Sequence, residues 1–137
     1  MDEAIWHFAD VSSRVGKIVT AQLNFTARLS MLRTLADEAI TDATFKDDLD
    51  RIIKRLETAQ GYRNEIVHAR WLDPKGGQAA VYEKIKARGK LTSTVISLTA
   101  AQIVERAEFI DFVVRDLSLF VVNQQINRAF GHDRQTG

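Results

Sequence analysis

The feature that most constrains this chain is where its helix breakers fall. Proline occurs once, at Pro74, and three of the seven glycines, Gly76, Gly77 and Gly89, follow close behind it. Proline removes a backbone donor and clashes with the preceding turn, and glycine costs a helix about 1 kcal/mol relative to alanine. Gathering the breakers between residues 74 and 90 leaves the chain on both sides free to be helical. The flanks carry the matching apolar spacing. Residues 2–15 read as a first helix, with Ile5, Phe8, Ala9 and Val15 as core contacts and a bend expected near Gly16. Residues 18–40 read as a second, with Phe25, Leu29, Leu32 and Ala36 at three- and four-residue spacing. A third is expected from near Thr41–Thr44 to near Trp71, where Pro74 and Gly76-Gly77 stop it.

Between the breakers and the last helix the pattern changes. Val81-Tyr82-Glu83-Lys84-Ile85-Lys86 and Leu91-Thr92-Ser93-Thr94-Val95-Ile96 are β-prone runs separated by Arg88-Gly89-Lys90, which predicts a β-hairpin within residues 79–98. Thr99 followed by Gln102 is a capping-box signature that opens a last helix running to near Phe130, with Gly131 as its stop. Ile103, Ala107, Ile110, Val114, Leu117 and Val121 mark one apolar face, and Phe109, Phe112, Val113, Phe120 and Val122 a second. A helix apolar on most sides is buried on most sides, which in so small a chain predicts a partner subunit. The expected fold is mainly α: one domain over residues 1–137, a bundle of about four long helices with a small β-hairpin inserted before the last.

Composition narrows the function classes. With 19 basic and 18 acidic residues, net charge points to no nucleic acid, membrane or acidic partner, so any such binding must come from a local patch. The absence of cysteine excludes disulfides and thiolate metal sites. Three well-separated histidines, His7, His68 and His132, argue against an all-protein zinc site, and no metal or other cofactor is expected. The most apolar stretch, from Ile110 to Val122, carries Asp111, Arg115 and Asp116, which argues against a membrane span. No basic head followed by an apolar run opens the chain, so a cytoplasmic location is the expectation.

The stretch from Tyr62 to Trp71 (YRNEIVHARW) places polar groups in a helix that otherwise reads as apolar. Taking about 100° per residue, Phe45, Leu49, Ile52, Ile53 and Ala59 fall on the Leu56 side of the third helix, and Asp47, Asp50, Lys54 and Glu57 opposite. Extending the same phase puts Arg63 about 20° and Arg70 about 40° from the centre of that apolar face. Asn64 and His68 fall on its flank, four residues apart and therefore neighbours. Arg63 and His68 are about 140° apart, so joint action requires Arg63 to reach round or the two groups to converge from two copies of the helix. A guanidinium is a rigid, permanently charged fork for phosphate, and an imidazole titrates near neutrality.

The run Arg63-Asn64-x-x-x-His68 resembles the Arg-(four to six residues)-His motif of HEPN domains, including the polar residue usual directly after the arginine. The resemblance implies a small all-α homodimer whose motif helices face each other, and a metal-independent endoribonuclease leaving 2′,3′-cyclic phosphate and 5′-hydroxyl ends. On that resemblance Arg63 binds the scissile phosphate, His68 acts as acid or base or positions the ribose, and Asn64 assists. It further implies a role in defence or a toxin–antitoxin pair, with a protein antitoxin or regulator as partner. The expected hairpin departs from the simplest four-helix form of the family.

Other residues are weaker candidates. Tyr62, Arg70 and Trp71 read as packing or supporting groups that could also touch substrate, Trp71 by stacking on a base. Lys84 and Lys86, with Arg88 and Lys90, could track an RNA backbone, although charges that blunt an exposed strand edge explain them more simply. Two further readings stay open: a non-catalytic helical module binding a nucleotide, RNA or a protein partner, and a helical dimerisation protein that buries Arg63 and Asn64 in its interface.

Overall fold

A computed structural model describes residues 1–68, 70–72, 79–87 and 91–131. The chain is mainly helical. Its elements in order are α1 (Asp2–Phe8), α2 (Ser13–Thr20), α3 (Phe25–Ala39), α4 (Ala43–Val67), β1 (Arg70–Leu72), β2 (Ala79–Ala87), β3 (Leu91–Thr99) and α5 (Ala100–Gly131). Among the described residues no helix is long and apolar enough to cross a membrane.

Side-chain caps set the helix starts. Asn24 Oδ1 accepts from the Ala27 N–H at 2.9 Å, and Asp42 Oδ1 accepts from Thr44 and Phe45 at 2.8 and 3.3 Å. Ser12 Oγ caps α2 through the Val15 N–H. Each cap satisfies donors that the first turn leaves without an intrahelical acceptor. These caps divide the first forty residues into three helices where the apolar spacing predicts two. The first break comes at Asp10, in the left-handed region at φ 53°, and not at Gly16, which lies inside α2.

Gly16 has another use. A Cβ there would run into the Trp6 indole, so only glycine lets α2 approach α1 this closely. Trp6 Nε1–H donates to Thr20 Oγ1 at 3.3 Å, Thr20 Oγ1–H donates to the Gly16 carbonyl, and Arg28 Nη2 donates to the Thr20 carbonyl. The small and polar side of α2 therefore faces inward, and Val15, Ile18 and Val19 are exposed. This reverses the expectation that Val15 is a core contact.

The chain forms two compact units, residues 1–55 with 113–137, and residues 56–112, so α4 and α5 each contribute to both. In the first unit Ile5, Leu32, Ile53 and Val113 are almost fully buried. The Phe120 ring meets those of Phe8 and Phe45 at centroid distances of 6.5 and 6.4 Å. Arg55 Nη1 bonds Asp116 Oδ2 at 2.9 Å. Of the two faces expected for the last helix, Val113, Leu117, Phe120 and Val121 are buried, while Phe112, Val114 and Val122 are about half exposed. Val114 thus leaves the expected core and Val113 joins it.

The second unit holds the sheet, in the order β1-β2-β3 and antiparallel throughout. Val81–Glu83 pairs with Arg70–Leu72 on one side, and Ala79–Ala87 with Leu91–Thr99 on the other. The expected hairpin is present and is longer at both outer ends; its loop, residues 88–90, lies outside the described residues. The capping box forms reciprocally: the Thr99 N–H donates to Gln102 Oε1 at 2.9 Å and the Gln102 N–H to Thr99 Oγ1 at 3.2 Å. It turns β3 directly into α5.

Candidate functional site at the end of α4

Up to Ala59, α4 buries the row that helical phase predicts: Leu49, Ile52, Ile53, Leu56 and Ala59. Beyond that point the covered surface follows the three-residue row Leu56, Ala59, Tyr62, Glu65, which winds away from a straight stripe. The neighbour that steers it is the first part of α5. Glu65 Oε2 accepts from Arg106 Nη1 at 2.8 Å, with both side chains only about one-fifth exposed. The Arg106 guanidinium lies 4.8 Å from the centroid of the Tyr62 ring, and Tyr62 meets Phe109 edge-on at 5.7 Å. A half-buried ion pair whose cation also stacks on an aromatic face is shielded from water, which strengthens both contacts. Tyr62, Gln102, Glu105, Arg106 and Phe109 line a cleft of about 270 Å³ along this surface.

Turning the covered row leaves Arg63, Asn64, Val67 and His68 exposed. Arg63 is therefore not in the middle of a buried seam. Its helical angle is as expected, but the packing surface has rotated away from it. Asn64 Oδ1 accepts from Gln60 Nε2 at 3.0 Å and lies 3.4 Å from Arg63 Nη1. Among the described residues the Arg63 side chain thus bonds a neutral amide and no carboxylate. His68 follows the last helical residue, and its backbone N–H closes the final turn onto the Asn64 carbonyl at 3.0 Å. The Asn64 side chain is directed to Gln60 and Arg63, so its link to His68 runs through the backbone. Gln60, Asn64 and His68 occupy one four-residue row with Arg63 beside it.

Arg70 and Trp71 depart from the expected helix. They lie on β1, opposite Glu83 and Tyr82 of β2. The helical angle inferred for Arg70 does not apply, because long-range strand pairing overrides the local apolar spacing. Lys84 and Lys86 lie on β2 opposite Thr94 and Thr92 of β3, beyond the stretch Val81–Glu83 that β1 pairs with. The side chains of Arg70, Trp71, Lys84 and Lys86 lie outside the described residues, as does His132. His7 packs edge-on to Phe8 at 5.2 Å in the first unit.

Arg106 and Phe109, which hold the site's inner side, are not evident in the sequence, since nothing local pairs a charge on one helix with a charge on another. Elsewhere, a cleft of about 360 Å³ in the first unit contains Arg51 and Arg55, engaged with Asp48 and Asp116 respectively. That cleft is charge-balanced. Among the described residues no group of three or more His, Asp or Glu is placed to hold a metal ion. No family model, no curated protein and no solved structure matches the chain.

Proposed function

We propose that the chain is a metal-independent endoribonuclease of HEPN type that acts as a homodimer. The observation that carries this reading is the exposed arc Arg63–Asn64–His68 on a helix end whose other side is fixed by Tyr62, Glu65 and Arg106. A guanidinium bonded to a neutral amide keeps its charge for an anion, and fixing the helix beneath it lowers the cost of positioning that charge.

The chemistry follows from the residue types. An RNA 2′-hydroxyl attacks the adjacent phosphorus, the bond from phosphorus to the 5′-oxygen breaks, and a 2′,3′-cyclic phosphate and a 5′-hydroxyl result. Arg63 binds the phosphate and stabilises the charge that gathers on its oxygens. His68 takes the 2′-hydroxyl proton or returns one to the leaving oxygen. Asn64, its Oδ1 occupied by Gln60 and Arg63, has its amide donors to offer to the phosphate or ribose. The wide arc between Arg63 and His68 favours two copies acting together, and the exposed Phe112, Leu119 and Val122 of α5 support a partner. A place in a toxin–antitoxin pair or in defence belongs to the same proposal.

The test is RNA cleavage in EDTA by the wild type, Arg63→Ala and His68→Ala. The expected result is cleavage by the wild type alone, with all three proteins equally folded. Cleavage that needs Mg²⁺, or that survives both substitutions, would contradict the proposal.

A further inference from the structure

The β2–β3 ribbon extends beyond the rest of its sheet. β1 pairs only with Val81–Glu83, whereas β2 and β3 stay paired from Ala79–Thr99 out to Ala87–Leu91. Among the described residues the sheet is therefore two strands wide beyond Glu83. Thr92, Ser93, Thr94 and Val95 are all exposed. Successive residues of a strand belong to opposite faces, so β3 is open on both faces over this stretch. Closer to the helices one face closes, with Ile96 half-buried and Leu98 buried. Lys84 and Lys86 take the register positions opposite Thr94 and Thr92, which puts these four positions on one face of the ribbon. Glu83 and Ser93 belong to the other face, where the Glu83 carboxylate accepts from Ser93 Oγ. In the sequence, residues 84–104 hold Lys84, Lys86, Arg88 and Lys90 and no acidic residue.

The register also relates this open stretch to the end of α4. The helix ends at Val67, and β1 starts at Arg70, opposite Glu83. Because β1 and β2 are antiparallel, the chain enters β1 at the end nearest Lys84. His68 is only two Cα–Cα steps of about 3.8 Å before Arg70, so the end of α4 that carries Asn64 and His68 adjoins the open ribbon. All of these residues belong to the second compact unit. We infer that the ribbon face of Lys84, Lys86, Thr92 and Thr94 is the substrate track of the α4 site, taking the backbone of a single-stranded RNA beside the phosphate bound by Arg63. Lysine ammonium and threonine hydroxyl groups are common partners of phosphate and sugar oxygens. Lys84 and Lys86 stand about 6–7 Å apart along β2, which gives successive phosphates one cation each. A single strand is the form the chemistry needs, because a 2′-hydroxyl attacks in line only where the backbone is freed from a duplex. The choice of RNA as occupant rests on the proposed ribonuclease reading; the track adds a hold on the strand beyond the cleaved bond.

Binding is read apart from cleavage with a labelled single-stranded 2′-O-methyl RNA, which has no free 2′-hydroxyl to attack. Its affinity is measured between about 50 and 200 mM salt. Lys84→Gln/Lys86→Gln is expected to bind about tenfold more weakly at the lower salt. Its plot of log K against log salt should flatten by about 1.4, for two phosphates at about 0.7 each. Thr94→Lys, opposite Lys84, should steepen the plot by about 0.7. Arg14→Gln/Lys17→Gln removes two cations from α2 and should bind as wild type does, with every fold checked by circular dichroism. Unchanged binding by Lys84→Gln/Lys86→Gln would overturn the inference and leave these lysines as charges that protect the open edge of β2. An equal loss in the α2 variant would overturn it in favour of net charge, and a wild type that does not bind would leave the ribbon to a protein partner. The two readings fail separately. A wild type that binds the probe through the ribbon yet cuts no RNA contradicts the ribonuclease reading alone. Cleavage by Lys84→Gln/Lys86→Gln with KM unchanged contradicts the track alone.

Discussion

From Leu49 to Ala59, α4 buries a regular apolar row; from Gln60 to His68 the same helix covers an aromatic ring and an ion pair and leaves its arginine and asparagine outside. The first stretch is held by area removed from water, which tolerates little loss of volume. The second is held by Tyr62 and Glu65 against Arg106 and Phe109, contacts that fix direction more than they add stability. One half of the helix supplies stability, and the other holds an exposed polar arc in place.

Substitutions sharpen this division, and the largest effect belongs to the first stretch. Ile53→Ala, at a fully buried position, should cost about 2–5 kcal/mol in denaturant unfolding; a loss below 1 kcal/mol would mean that the row is not the helix's anchor. Next comes Glu65→Ala, which leaves Arg106 without its carboxylate. A half-buried pair lies between the exposed and buried cases, so about 1–2 kcal/mol is expected. RNA cleavage should fall with it, because the helix end loses its fixed direction. Full activity at reduced stability would separate the anchor from the site. The smallest effect on stability belongs to Arg63→Ala, within about 0.5 kcal/mol for an exposed residue, yet it should abolish cleavage. A large loss of stability there would erase the distinction between the two stretches and favour a buried interface role for Arg63.

What could be read beforehand was local. The Thr99–Gln102 box, the two strands of the hairpin and the apolar row to Ala59 each depend on residues a few positions apart, and each is present in the fold. Ser12 and Asn24 were readable as cap residues and mark the two breaks that apolar spacing alone runs across. The exposure of Arg63 was not readable, because it follows from where α5 crosses α4. The strand at Arg70–Leu72 was hidden for a similar reason: its partners at Val81–Glu83 are ten or so residues further along, beyond the breakers. For the candidate site, the sequence placed Arg63, Asn64 and His68 within a helix running to near Trp71, whereas α4 ends at Val67 and His68 follows it; their support from Arg106 and Phe109 depends on tertiary packing.

On the proposed function, Arg63 and His68 promote attack by the RNA's own 2′-hydroxyl. The most direct measurement uses wild-type protein in EDTA with a labelled RNA and the same RNA carrying a 2′-deoxy nucleotide at the cleaved position. The account predicts cyclic phosphate ends from the first and no cut at that position in the second. Cleavage of the deoxy substrate at the same place, or products bearing 5′-phosphate, would contradict it.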